Sequence, residues 1–247
     1  MKTKIFTAFC LSWAIFFAYL GAWQVERMHW KEQLIAQTEK HKDENPEEFK
    51  IDEYDTKRDL FKKIFLNGKF LHENEILLSA KYFSSERDKN ELGYHVITPF
   101  ITTEGVIVFI NRGWVPEAYK TRESRPDSLY EGNIETTIEG VMRENQGHAP
   151  WYLPQNDRKK NIWFWIDLPE MITMLKDTTE LQNIKQVLIQ QTNLTTKNNF
   201  MYPIPVDANI TFYNQHLTYV ITWFTLSAVI VIMLLLYLRK SRKKLGE

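Results

Sequence analysis

The chain has 247 residues, with 31 Lys and Arg balanced by 31 Asp and Glu, and one cysteine, Cys10. One cysteine excludes an intramolecular disulfide, a Cys-x-x-Cys redox pair and covalent haem attachment. The net charge is zero but unevenly spread, leaving the long middle segment mildly acidic, which argues against nucleic acid with its demand for a basic face, and no zinc, P-loop or dinucleotide motif occurs.

Ile5 to Trp23 is apolar apart from Thr7 and Ser12, and Leu217 to Leu238 is a second such run. Each approaches the roughly 20 residues a helix needs to cross a bilayer. Lipid cannot hydrogen-bond a bare backbone, so both runs are expected to be helices. Lys2 and Lys4 precede the first; Arg239, Lys240, Arg242, Lys243 and Lys244 follow the second. Cationic flanks at both ends predict both termini on the cytoplasmic side. The chain then divides into a cytoplasmic start (1–4), a first span (5–23), an extracytoplasmic domain (24–216), a second span (217–238) and a basic cytoplasmic tail (239–247). The tails take seven cations and one acid, so the intervening segment carries 24 basic against 30 acidic residues, near −6. No small-x-small cleavage site follows the first span, which predicts an uncleaved anchor. No Arg- and Ser-rich transit segment precedes it, so a bacterial plasma (inner) membrane is expected, or the mitochondrial inner membrane if the source is eukaryotic.

Between the spans, Gln24 to Lys42 reads as a helix continuing out of the membrane, and Glu39 to Asp55 as a charged loop or frayed helix around Pro46. Ile76 to Phe83 and Tyr94 to Phe100 read as strands. Gly105 to Val115 is the strongest strand, with Val106, Val108 and Ile110 on one face and Ile107 and Phe109 on the other, a pattern for burial on both sides. Pro116 to Asp127 is expected to be a mobile loop. Asn133 to Arg143 and Asn161 to Ile166 read as strands, with Gly147 to Lys160 a loop between them. Leu168 to Lys176 reads as a short helix begun at Asp167, and Val187 to Gln191 as a strand. The fold class is thus a membrane protein, two transmembrane α-helices flanking one β-rich α+β extracytoplasmic domain.

Four segments carry a family likeness. Gly21 to Ile35 matches Gly-x-Trp-Gln-x-x-Arg-x-x-Trp-Lys-x-x-Leu-Ile. The other three are Tyr94-His-Val-Ile-Thr-Pro-Phe100, Asn111-Arg-Gly-Trp-Val-Pro116 and Asn214-Gln-His-Leu-Thr-Tyr-Val-Ile-Thr-Trp-Phe224. Their order and position resemble the surfeit-locus-protein-1 family of cytochrome c oxidase assembly factors, over nearly the whole chain. The resemblance implies a chaperone-like role in maturing the respiratory-chain oxidase. Haem a is the implied transient cofactor. The implied partners are the oxidase catalytic subunit, a haem a synthase and the phospholipid membrane. It implies His216 as the residue associated with the haem iron, with Trp223 beside it. It assigns no role to the two central motifs, and residues 39–53 match nothing in it.

At 100° per residue, His216, Tyr219 and Trp223 share one helix face, along which a planar macrocycle can lie. Imidazole is a usual axial ligand of haem iron, and indole can stack on the ring. The alternative is an interfacial histidine that is hydrated or paired with a carboxylate, among aromatics that belong to membrane interfaces for their shape alone. Trp23, Arg27 and Trp30 share a face of the first helix. There Arg27 can receive a haem propionate in bidentate fashion or anchor a phospholipid head group. His29, about 100° off that face, is a poor candidate for a second ligand. Arg112 reads as a structural salt bridge before an anion or partner contact, and Gly113 as a turn or bulge. His41, His72, His95 and His148 show no metal-ligand spacing. No Gly-x-Ser-x-Gly, His-Glu-x-x-His or carboxylate pair points to an enzyme. The competing role is an interaction scaffold that holds an oxidase intermediate without haem.

Overall fold

The computed structural model describes residues 2–83, 91–126, 134–178, 181–192, 202–205 and 214–243. Asp127, Asn133 and the end of the basic tail, 244–247, lie outside them. In chain order the elements are α1 (Lys2–Lys42), β1 (Glu47–Glu48), β2 (Lys63–Phe70), β3 (Ile76–Phe83), β4 (Glu91–Thr102), β5 (Ile107–Pro116), β6 (Thr136–Arg143), α2 (Leu168–Thr178), β7 (Ile184–Gln191) and α3 (His216–Lys243). They form two units, Met1–Gln37 with Thr211–Glu247, and Thr38–Ile210.

The first unit holds two helices long and apolar enough to cross a membrane, within Thr3–His41 and His216–Ser241. Their outward side chains are apolar and exposed, among them Phe9, Ile15, Tyr19, Ile232 and Leu236. Such a surface is stable against lipid and costly against water. The chain is a membrane protein with two spans. As expected, α1 continues well past Trp23 without a break.

The second unit is a curled sheet in the order β1-β2-β6-β7-β5-β4-β3, with β2 also pairing β4. Gly68 faces Thr102 and Phe70 faces Phe100 across that extra seam. Strands β2, β6, β7, β5 and β4 therefore close into a ring, which removes free edges within it. One core fills the ring with a residue set drawn from all five strands, including Ile64, Leu66, Phe100, Val108, Ile110, Ile138 and Ile189. A second core lies on the other face, where Phe109 and Leu188 join Trp163 and the apolar stripe Leu168, Met171 and Leu175 of α2. All ten residues of β5 are buried, so the reading of a strand covered on both sides is borne out.

Strand β2 is not among the strands expected from the sequence. Its Ile64, Leu66 and Phe70 alternate with half-buried residues, but Asn67-Gly68 has the composition of a turn. In the structure Gly68 permits ring closure: a Cβ there would lie 2.1 Å from the Ile101 carbonyl oxygen. Conversely, Asn161 to Ile166 is no strand. It makes only single bridges, Leu78 with Trp163 and Asp157 with Ile162. Asn156 Oδ1 accepts from Phe164 N at 2.9 Å and Trp165 N at 3.1 Å, holding the segment as an irregular strap.

The two central motifs are neighbouring antiparallel strands, paired from Gly93 with Pro116 to Ile101 with Ile107. The register slips between Val96–Gly113 and Ile97–Asn111, leaving Arg112 as the extra residue of a bulge. Gly113 has φ +127° there, as the glycine at that position suggested. The expected mobile loop after β5 is instead pinned. Two short 3-10 turns, Glu117–Tyr119 and Arg122–Ser124, lead to Arg125, which is buried against Glu75. The loop's polar composition suggested mobility, but this ion pair reaches 50 residues back in sequence and leaves no local signal.

Candidate functional site

The closing motif starts α3. Asn214 Oδ1 accepts from His216 N at 3.2 Å and Gln215 O accepts from Thr218 N at 3.1 Å, meeting two of the orphan donors of the first turn. This fixes His216 as the first helical residue, partly buried. Its ring faces α1, where His216 Nδ1 lies 2.7 Å from Gln24 Oε1. The amide oxygen only accepts, so Nδ1 carries the proton and donates. Nε2 then keeps its lone pair, and it makes no hydrogen bond to any described residue.

Below this pair the two helices run antiparallel along a close seam. Trp223 stacks on Phe17, with ring centroids 5.7 Å apart and planes 16° apart. Gly21 faces the Phe224 ring, where a Cβ would come within 2.9 Å. Ser227 Oγ donates to the Ala14 carbonyl at 2.8 Å. Phe6 meets Tyr237 edge-on at 5.0 Å. His216, Val220, Trp223, Ser227, Ile230, Leu234, Leu238 and Ser241 are the less exposed positions of α3, and their spacings of three and four trace the seam of an antiparallel helix pair.

The expected face is therefore divided. His216 and Trp223 lie on the seam, whereas Tyr219 is 49% exposed. Arg27 stands on the exposed side between two indoles, its guanidinium carbon 5.7 Å from the Trp23 ring and 5.4 Å from the Trp30 ring. No described residue forms an ion pair with it. His29 lies against Glu32, at 3.2 Å. Phe17 carries no signal in the sequence, and Gln24 shows there only as the glutamine of the first motif, with no role attached to it. A glutamine at the edge of an apolar helix is a signal of a kind, but its partner lies 192 residues away.

In the second unit Arg112 stacks on Phe70, 4.6 Å from the ring centre, and its Nη1 lies 3.5 Å from His72 Nδ1. The described ion pairs of this region belong to Arg125 with Glu75 and Arg122 with Glu73. Burial, then the charges of Arg112, Arg125 and Arg122, hold His72 down to about 3. Burial, then Lys81, hold His95 down to about 4. Asp167 caps α2 as expected, accepting from Glu170 N at 3.1 Å. It also pairs with His148, whose titration it raises through that hydrogen bond and its charge. The histidines looked scattered in sequence, yet the ligating atoms of His148, Asp167 and Glu170 lie within 4.8 Å of one another. The pairing arises because the loop after β6 folds over the start of α2.

Two spans joined along a polar-capped seam, with a closed β ring between them in sequence, define a membrane-anchored barrel protein. The model of the SURF1 family matches residues 11–228, so the chain belongs to that family, the oxidase assembly factors its four motifs resemble. It is 32% identical over 233 residues to a SURF1-like protein of Monosiga brevicollis, covering 92% of this chain and 85% of that one. It is 29% identical over 220 residues to Surfeit locus protein 1 of Xenopus tropicalis, covering 85% and 68%. A SURF1-like protein of Dictyostelium discoideum is 27% identical over 260 residues, covering 91% and 93%.

Proposed function

We propose that this protein binds or presents haem a to the catalytic subunit of cytochrome c oxidase as that subunit matures, without turnover chemistry of its own. The observation that carries the reading is His216 at the head of α3, with Nδ1 engaged by Gln24 and Nε2 left without a hydrogen-bond partner among the described residues. An imidazole nitrogen open in this way has the chemistry to ligate haem iron. When bound, haem a supplies the redox-active iron centre of the oxidase. His216 would hold it through Nε2, and the Asn214 turn fixes where the ring sits. Arg27, exposed between Trp23 and Trp30, offers a bidentate partner for a propionate. Tyr219 and Trp223 border the same end of the helix pair.

The cationic flanks support cytoplasmic termini and an extracytoplasmic barrel, in a bacterial inner membrane or, for a eukaryotic source, the mitochondrial inner membrane. A haem a synthase is the natural donor partner. A second reading has its own support: Trp223 is stacked on Phe17, so its indole also serves helix pairing. On that reading the hairpin is a rigid surface held by the catalytic subunit, with no haem on this chain.

The test is an absorption spectrum of the detergent-purified protein, made in a host that makes haem a, beside His216→Ala. A haem a band that is lost or shifted in the variant supports the haem reading. No bound haem in either, with the catalytic subunit still co-purifying, leaves the scaffold.

A further inference from the structure

We infer that Gln24 is the positioning residue for His216: it fixes the imidazole as the Nδ1–H tautomer and aims Nε2 as the iron ligand. This deepens the haem reading and rests on it. Free imidazole exchanges its proton between the two nitrogens, so an unheld histidine presents a lone pair at Nε2 only part of the time. The 2.7 Å contact to an amide oxygen removes that freedom. It also pins the ring's rotation, because the acceptor is on α1 and the donor on α3. Seam contacts below, Gly21 against Phe224 and Ser227 to Ala14, fix the register between the helices. Gln24 thus reaches its partner only when the hairpin is assembled. A hydrogen bond donated from the far nitrogen also raises the basicity of the ligating one, and losing such partners generally costs about 10- to 100-fold in metal affinity.

The test uses the full chain in detergent with four variants, Gln24→Leu, Gln24→Glu, Ser227→Ala and His216→Ala, each titrated with haem a beside wild type. The readouts are affinity, midpoint potential of the bound haem and the nitrogen-15 NMR signature of His216 in the haem-free protein. Gln24→Leu is expected to lose affinity by about 10- to 100-fold and to show both tautomers. Gln24→Glu keeps an acceptor, so it should retain affinity and lower the potential. Ser227→Ala removes one seam hydrogen bond and leaves the Gly21–Phe224 and Phe17–Trp223 contacts to hold the register, so it should keep the wild-type tautomer and potential. If Gln24→Leu matches wild type in affinity, potential and tautomer while His216→Ala loses haem, the positioning role is wrong and the haem reading stands. If Ser227→Ala loses as much affinity as Gln24→Leu while its His216 keeps the single wild-type tautomer, the loss is one of helix packing and the positioning role of Gln24 is wrong. If wild type takes up no haem a, the haem reading fails and this inference with it.

Discussion

Arg125 and Glu75 form a forked ion pair, at 2.5 and 3.4 Å, with side chains only 1% and 4% exposed. Both charges are removed from water, so each depends on the other. Breaking such a pair from one side leaves an uncompensated buried charge, which costs about 3–5 kcal/mol. Arg125→Met is therefore expected to lower unfolding stability by that order, read by denaturant titration in detergent. Adding Glu75→Leu should recover much of the loss, since an apolar pair of similar size avoids the desolvation cost. Additive losses in the double variant would show that the pair is not the coupling element.

Gly113 and Ile204 set a second constraint. Trp114 N donates to Ile204 O and Ile204 N to Trp114 O, each at 2.8 Å. A Cβ on Gly113 would lie 2.0 Å from the Ile204 carbonyl oxygen, at a φ of +127°. Gly113→Ala must displace the Ile204 segment as well as strain the backbone. Gly105, at φ +77°, has nothing within 4 Å of its Cβ position, so Gly105→Ala meets strain alone. The loss from Gly113→Ala should exceed that from Gly105→Ala, with faster proteolysis near 204. Equal losses would mean that the close approach contributes nothing.

These two contacts also mark where reading the sequence stops. Periodicity sufficed for the spans, for β5 and for α2, because each buries a face set by its own spacing. It failed at β2, where a glycine needed for ring closure looks like a turn, and at the Trp163 strap, where aromatics that cap a core look like a strand. In the site, His216 stood out as a histidine at the head of an apolar helix. Gln24 was visible only as a motif residue without a role, because that role exists only once α1 and α3 pair. Metal-like grouping of His148 with Asp167 and Glu170 likewise depends on a loop returning over a helix end.

The barrel should lose stability in mild acid. His72 is held down to about 3 and His95 to about 4, both chiefly by burial. Unfolded, each returns toward about 6.5. Below that value the unfolded state binds more protons than the folded one, so stability falls as pH falls. The loss should start near pH 6.5 and continue until about pH 4 for His95 and about pH 3 for His72, with a limiting slope of about 1.4 kcal/mol per pH unit for each. His148 runs the other way: its raised value favours the folded state at low pH, and that gain fades as pH rises. Thermal melts from about pH 7.5 to about pH 4 should show the midpoint dropping, and His95→Gln should flatten the curve. A midpoint independent of pH would contradict this account of the two buried rings.

Gly21 keeps the membrane hairpin closed at the level of the Phe224 ring, which a Cβ would approach to 2.9 Å. The obstructing atoms are the far end of a side chain, so Gly21→Ala needs only a small ring movement. Gly21→Leu cannot be absorbed that way. In lipid, where apolar burial gives no drive for association, small residues and interhelical hydrogen bonds hold helices together. Prising this level apart strains the Ser227 bond to Ala14 on one side and the His216 bond to Gln24 on the other. Gly21→Leu should therefore lower the detergent melting temperature and shift the His216 nitrogen signals toward mixed tautomers, while Gly21→Ala changes little. Phe224→Ala placed on Gly21→Leu vacates the ring's space and should restore both readouts. Failure of that second change to restore them would locate the clash elsewhere on the seam.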